Sequence, residues 1–254
     1  MLGLALATLI GLSLGLLGGG GSILTVPILV YAVGLDPKAA VAASLAVVGV
    51  TSLVGALGHW RAGNVRLRTA AVFGGVAMIG AFVGARLSVF LSGQVQLVIF
   101  AIVMLVAAAF MLRGREPATA TSEGDAAVEP RILPMVLQGF AVGVMTGVVG
   151  VGGGFLIVPA LVLLGRVPMK AAVGTSLLII AMNSASGFLG YAGQVTLPWG
   201  FLAQFTALAI LGVVIGTVLA RAAPREALRR GFAALLVVVG MFVLYQNRGL
   251  VLWI

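Results

Sequence analysis

The sequence predicts an all-α polytopic membrane protein made of two inverted repeats, each a glycine-broken re-entrant helix pair plus three membrane spans. Three observations lead there. Hydrophobic residues make up 61% of the 254 and charged residues only 8%, for a mean hydropathy of +1.23. A soluble domain carries about 25% charged residues, so this surface is expected to be covered by lipid rather than water. The apolar residues are gathered into stretches of membrane-spanning length. Finally, the two halves of the chain are copies of one another.

The stretches run at 3–33, 38–58, 69–91, 95–112, 134–164, 170–191, 199–220 and 227–246. Most fit the roughly 17–25 residues that cross a bilayer core as a helix. The first has no basic segment before it and is too long for a cleavable signal peptide. It and its counterpart at 134–164 are the unusual ones. Gly18-Gly-Gly-Gly-Ser22 interrupts one and Gly150-Val-Gly-Gly-Gly154 the other, with Pro27 or Pro159 just beyond. Glycine in a helix interior costs about 1 kcal/mol relative to Ala. A leg of about 15 residues reaches only about 22 Å, short of the ~30 Å hydrocarbon core. Each broken stretch is therefore expected to form two short helices meeting at a non-helical tip, the second starting near Ile23 or Phe155. Such backbone is tolerated at membrane depth only where it packs in protein or lines a watery cavity. Re-entrant hairpins and pairs of short spans both fit this pattern.

Residues 113–133 hold four of the six carboxylates and almost no large apolar side chain. They read as a flexible aqueous linker between a first repeat, 1–112, and a second, 134–254. A shift of 132 residues places Gly15, Gly18, Gly20, Gly21, Leu24, Val26, Pro27, Leu29 and Val30 on identical residues from Gly147 to Val162. Lys38-Ala-Ala-Val41 falls on Lys170-Ala-Ala-Val173, and Ser44-Leu45 on Ser176-Leu177. Apolar bias does not align a Pro, a Lys and a Ser, so the duplication is real. Ser52, Gly55, Gly80 and Gly84 fall on Ser184, Gly187, Gly212 and Gly216. The Gly80/Gly84 and Gly212/Gly216 pairs, spaced i, i+4, are assigned to helix packing.

Charge placement gives the expected topology. If each broken stretch enters and returns to the same side, each half makes three net crossings and the two copies lie upside down to each other. One side then holds 12 Lys and Arg, among them Arg61, Arg66, Arg113, Lys170 and Arg221, and the other only Lys38, Arg86 and Arg248. If each stretch crossed once, the split would be 7 against 8. The positive-inside rule selects the first arrangement, with the linker cytoplasmic and both termini outside.

The glycine break followed by Pro, occurring twice, with Lys-Ala-Ala-Val-x-x-Ser-Leu after each, resembles the TauE/SafE sulfite exporter family, also called the toluene sulfonate uptake permease family. The resemblance covers nearly the whole chain outside the linker. It implies transport of small sulfur-containing anions, such as sulfite, sulfonates and sulfoacetate, across the bacterial inner membrane. Nothing in the residue spacing itself specifies sulfur.

The residues suggest how an anion is held. Inverted repeats with broken helices place a binding site near the midplane, at the repeat interface. Free N–H groups at a half-helix start attract anions, and glycines let a ligand approach that backbone. The candidates are Gly18, Gly19, Gly20, Gly21 and Ser22 at the first tip and Gly150, Gly152, Gly153 and Gly154 at the second. On the following helix Ser44, Val48, Thr51 and Gly55 share a face, matched by Ser176, Ile180, Asn183 and Gly187, with Ser52 and Ser184 beside the stripe. Ser44, Thr51, Ser52, Ser176, Asn183 and Ser184 thus complete a candidate anion wall. A Ser or Thr hydroxyl often bonds the carbonyl one turn back, an option Asn183 lacks. Lys38 and Lys170 head equivalent helices and read as interfacial anchors. His59 reads as an interfacial residue ending its span; a pH-sensing role is disfavoured because its copy is Tyr191.

Much is excluded. With 0 Cys and 1 His there is no thiolate chemistry, disulfide or evident metal cluster, and no cofactor motif is present. No G-x-S-x-G or H-E-x-x-H occurs, so an enzyme is not expected. The +9 charge is dispersed between apolar runs rather than patched, which argues against nucleic acid. No Asp or Glu lies inside a span, which disfavours carboxylate proton relays. The expected partners are a small anion and the lipid bilayer, with a coupling proton left open. An anion channel and a non-transporting membrane subunit are the competing readings. The particular anion, its direction and the oligomeric state are not encoded in any recognisable pattern.

Overall fold

The computed structural model describes residues 2–113, 132–149, 153–164, 167–191, 193–222 and 224–248. Among them every regular element is helical. The first half comprises α1 (Leu2–Leu17), α2 (Gly20–Pro27), α3 (Pro37–Arg61), α4 (Leu67–Leu87) and α5 (Gly93–Arg113). The second comprises α6 (Ile132–Val149), α7 (Gly154–Pro159), α8 (Met169–Tyr191), α9 (Trp199–Ala222) and α10 (Arg225–Gln246). Five of these are long and apolar enough to cross a membrane: α3, α4, α5, α8 and α9. The chain is an all-α polytopic membrane protein.

The first glycine cluster does break its helix. Gly18 adopts φ +71°, a left-handed conformation open to glycine, while its N–H still donates to Leu14 O at 2.8 Å. The chain then folds back, because a methyl on Gly21 would lie against the Ile10 carbonyl and Leu14 of α1. A straight continuation would put residue 21 about 16 Å beyond residue 10. The helix after the break starts at Gly20, earlier than Ile23, because the glycines themselves enter its first turn. In the second half Gly153 has φ +80° and faces Thr146 of α6, the counterpart of the Gly21–Leu14 contact. α7 starts at Gly154, beside the expected Phe155. Gly150 and Gly152 lie outside the described residues.

Beyond each break the proline changes the helix. Pro27 and Pro159 have no N–H to give to the carbonyl four residues back, and each is followed by a π-helical turn, Ile28–Ala32 or Ala160–Leu164. The ladder widens there to five residues, as in Val33 N–H to Ile28 O at 3.0 Å. Asp36 then caps α3, its Oδ2 accepting from Lys38 N–H at 3.0 Å, with Pro37 pre-set for the first turn.

The halves interlock by exchanging partners. α1 lies along α9, and α6 lies along α4. Gly11 and Gly15 of α1 meet the backbone around Ala209 and Val213, while Gly212 and Gly216 meet that of Thr8 and Leu12. Gly80 and Gly84 meet Phe140 and Val144 in the same way, and Gly143 and Gly147 meet Ala77 and Ala81. The glycine pairs therefore serve backbone-to-backbone packing, each half gripping the other.

α3 and α8 form the centre, with 67% of each span buried against 39–50% in the other long helices. They are repeat mates, and they cross antiparallel in a self-complementary register. Leu45 lies over Gly187, and its mate Leu177 lies over Gly55, the mate of Gly187. The loop after α3 rests on the start of α8: Asn64 O faces Gly174, and Arg66 N–H donates to Thr175 Oγ1 at 3.0 Å. Lys170 thus shares an end of the molecule with Arg61 and Arg66. At the other end Lys38 Nζ reaches Val89 O at 3.4 Å, near Arg86. The exposed apolar side chains of α4 and α9, among them Ile79, Phe82, Leu211 and Val214, form outward faces suited to lipid.

Candidate functional site

The two tips touch. A methyl on Gly19 would run into the backbone of Gly154, and one on Gly154 would sit 2.6 Å from Gly19 Cα, 2.7 Å from Ile180 Cδ1 and 3.0 Å from Ser22 Oγ. Only glycine permits this approach. Gly18 lies against Val173 of α8, and Ser176 Oγ is 2.8 Å from both Gly18 O and Val173 O, tying α8 to the first break. Gly21 packs on α1, and Gly20 opens α2.

The polar side chains of this region divide into two groups. Ser22 Oγ donates to Gly19 O at 2.7 Å, Ser44 Oγ to Val41 O at 2.8 Å and Thr51 Oγ1 to Val47 O at 2.8 Å. Their protons are committed to the helix backbone. By contrast Asn183 Nδ2 and Oδ1, Ser52 Oγ and Ser184 Oγ are buried without a hydrogen-bond partner. Asn183 is 1% exposed and both serines 0%. Ser52 and Ser184 are repeat mates, and Asn183 is the mate of Thr51. Ser184 packs across the central crossing, its Cβ 3.2 Å from where a Gly49 methyl would be. One turn before Asn183 and Ser184, Ile180 touches the second tip.

A buried polar group left unpaired costs about 1–3 kcal/mol, and buried groups are nearly always satisfied. The four atoms lie on the two central helices, α3 and α8, and Ile180, one turn before Asn183, touches the second tip; unpaired buried atoms of this kind suit a polar ligand. The set has hydroxyl and amide donors and no ionised group. The described carboxylates, Asp36 and Glu226, lie at helix starts; Glu226 pairs with Arg230 at 2.7 Å. Among the described residues no group of His, Asp or Glu could hold a metal.

A family model described as Sulfite exporter TauE/SafE matches residues 3–243. The chain belongs to this family. A probable membrane transporter protein of Xylella fastidiosa is 35% identical over 246 residues, 94% of this chain and 92% of the relative. The probable membrane transporter protein YdhB of Bacillus subtilis is 24% identical across 93% of this chain and 97% of its own. One from Haemophilus influenzae is 26% identical across 95% and 96%. No solved structure matches. The TauE/SafE match makes the chain a member of a membrane transporter family.

Two residues of this TauE/SafE chain escape a reading by composition. His59 ends α3, as an interfacial residue would, but it is only 3% exposed and its Nε2 lies 3.3 Å from Gly15 O of α1. Tyr191, its mate, is 2% exposed, with its hydroxyl 3.3 Å from both Gly147 O and Val148 O. Gln96 Nε2 donates to that hydroxyl at 3.1 Å. Each repeat thus clasps the helix leading into its own break at the same glycine. The signal was in the duplication: 59 and 191 are mates, and so are Gly15 and Gly147.

Proposed function

We propose that this protein is a bacterial inner-membrane secondary transporter of small sulfur-containing anions, of the sulfite, sulfonate or sulfoacetate class, working by alternating access. The anion binds between two inverted repeats, where the glycine tips meet the α3/α8 crossing. The observation that carries this reading is the set of buried, unpartnered Asn183, Ser52 and Ser184 atoms beside the touching tips. Neutral donors suit an anion that must be released again, since they hold charge without the deep well of a salt bridge. The TauE/SafE match supports the sulfur class, and the geometry alone does not choose among oxyanions. The antiparallel, self-complementary crossing of α3 and α8 supports inversion of the repeats, as does the gathering of Lys170 with Arg61 and Arg66. With the basic end cytoplasmic, the 113–133 linker lies inside the cell and both termini outside.

Purified protein, titrated calorimetrically with sulfite, thiosulfate, sulfoacetate, methanesulfonate and chloride, tests the reading. It expects a sulfur oxyanion to bind and chloride not to. Asn183→Ala should weaken that binding about 10- to 150-fold, the worth of one hydrogen bond to a charged group. Uptake of labelled anion into proteoliposomes distinguishes a carrier from a channel, because only a carrier's return step is sped by unlabelled anion on the far side. A folded Asn183→Ala protein of unchanged affinity removes Asn183 from the site.

A further inference from the structure

We propose that the outward face of α4 carries a binding site for one anionic phospholipid, its phosphate at Arg86 and one acyl chain laid in a groove that ends at Gly75. The groove, of about 380 Å³, is lined by Gly75, Met78, Ile79, Phe82 and Val83 of α4 and by Ser186 of α8. It therefore runs along a seam between the first half of the chain and the second. Its depth has a simple origin in the sequence. Gly75 presents no side chain, and a methyl built there would meet nothing within 4 Å. Ser186 supplies the one hydroxyl of the lining and donates it to Met78 O at 2.7 Å, so the wall is left to hydrocarbon. Ile79 is 62% exposed and Phe82 41%, which opens the groove to the surrounding lipid.

What marks this groove among the outward apolar faces is the charge at its end. Residues 75, 78, 79, 82, 83 and 86 follow the i, i+3, i+4, i+7 spacing of a single helix face, so Arg86 heads the same stripe. Its side chain is exposed, and its guanidinium carbon lies 5.4 Å from the centroid of the Phe82 ring. The cation is thus turned back over the groove's wall. α4 ends at Leu87, which puts Arg86 at the membrane boundary. From Arg86 to Gly75 the helix rises about 16 Å, and one leaflet of a ~30 Å core is about 15 Å deep. A lipid whose phosphate meets Arg86 has its chain beside the groove for the whole depth of its leaflet.

The duplication supplies an internal comparison. α9 is the mate of α4 and also faces outward, yet Ala207 stands where α4 has Gly75, Val214 where it has Phe82 and Val218 where it has Arg86. The glycine, the ring and the cation are replaced together, so the site belongs to one half only. Free phosphate shares the chemistry that Arg86 recognises but has nothing to lay in an apolar groove, which favours a lipid.

The test uses full-length protein, delipidated in mild detergent and given equimolar dioleoylphosphatidylglycerol and dioleoylphosphatidylcholine, with retained lipid counted by native mass spectrometry. Wild type should keep one lipid, with phosphatidylglycerol favoured about fivefold, the worth of one Lys or Arg beside anionic lipid. Arg86→Gln should abolish that preference. Arg248→Gln removes an equal charge from the end of α10, where the guanidinium likewise lies over a ring, Tyr245, at 4.7 Å; it should keep the preference. Gly75→Leu fills the groove and should retain less of either lipid. Ile79→Trp, at an exposed lining position, serves if the leucine variant does not fold. Light scattering should give wild type and variants the same oligomeric state, and glycerol 3-phosphate, a headgroup without chains, should not displace the lipid. Equal retention of the two lipids by wild type overturns the inference, as does a preference that survives Arg86→Gln or is lost in Arg248→Gln. Undiminished retention with the groove filled makes the lipid a general coat and overturns it too. Displacement by glycerol 3-phosphate assigns Arg86 to a free phosphate, and a changed oligomeric state in Gly75→Leu gives the face to a second copy of the chain; either result overturns the lipid site.

Discussion

Asn183→Thr should make the protein more stable and bind its anion less well. The substitution places in the second repeat the residue that the first carries at Thr51, whose hydroxyl bonds Val47 O at 2.8 Å and needs nothing further. Threonine has nearly the volume of asparagine, so the packing at the α3/α8 crossing is retained. What disappears is a buried amide with both polar atoms unpaired, a burden of about 1–3 kcal/mol on the ligand-free protein. For a chain of this length each kcal/mol moves Tm by about 2–4 °C, so the expected rise is about 2–12 °C in detergent without anion. The same change removes a donor to a charged ligand, worth about 1.5–3 kcal/mol, so affinity should drop about 10- to 150-fold. Thermal unfolding with and without a saturating oxyanion reads both effects in one assay: the apparent stability should rise, and the anion-induced increment should shrink. A fall in Tm without anion would mean that the amide is satisfied inside the protein, and the inference from its unpaired atoms would be wrong. A rise in Tm with undiminished affinity would leave the amide unpaired but outside the site.

The topology is checked by phosphatase and fluorescent-protein reporters fused after Ser122 and after Ile254, which should report opposite compartments; matching compartments would refute inversion of the repeats. Two glycines of α4 test the packing. Gly84→Ala pushes a methyl into the Val144 backbone of α6 and should destabilise by about 1–3 kcal/mol, whereas Gly75, with nothing within 4 Å, should tolerate Ala with a gain of up to about 1 kcal/mol. Equal melting temperatures for the two variants would remove the α4–α6 glycine contact from the stability of the fold.

How much could be read in advance differs from element to element, for physical reasons. Spans were legible because lipid demands a continuous apolar run. The breaks were legible because glycine clusters and prolines are costly there unless the backbone departs from a helix. The partners of the paired glycines were not, since Gly80 and Gly212 look alike in sequence whichever helix they face. Their exchange, α1 on α9 and α6 on α4, is a tertiary fact. The π turns after Pro27 and Pro159 also went unseen, because a missing N–H signals a fault in the ladder without saying whether the helix kinks, ends or widens. Among the candidate site residues, the back-bonding option of Ser and Thr matches the hydrogen bonding of Ser44 and Thr51, against the unpaired Asn183. It did not separate Ser52 and Ser184 from their neighbours, because whether a hydroxyl reaches the carbonyl one turn back depends on a rotamer that packing decides.

The duplication, finally, is most informative where it fails. Backbone-determined features recur faithfully: breaks, prolines, π turns, packing glycines and the self-complementary crossing. The chemistry does not. Thr51 faces the centre satisfied while Asn183 faces it unpaired, and His59 clasps one break while Tyr191 clasps the other. On the carrier reading this division has a thermodynamic reason. Two identical halves would interconvert between inward- and outward-facing forms of equal free energy, and ligand binding would favour neither. Mates that differ in their polar groups let the two forms differ in free energy, and a ligand then shifts that equilibrium by its differential affinity for them. Keeping the scaffold symmetric preserves both forms as accessible structures. Breaking the symmetry at these two pairs of mates lets the forms differ in free energy and in affinity, while the gradients set the direction of net flux.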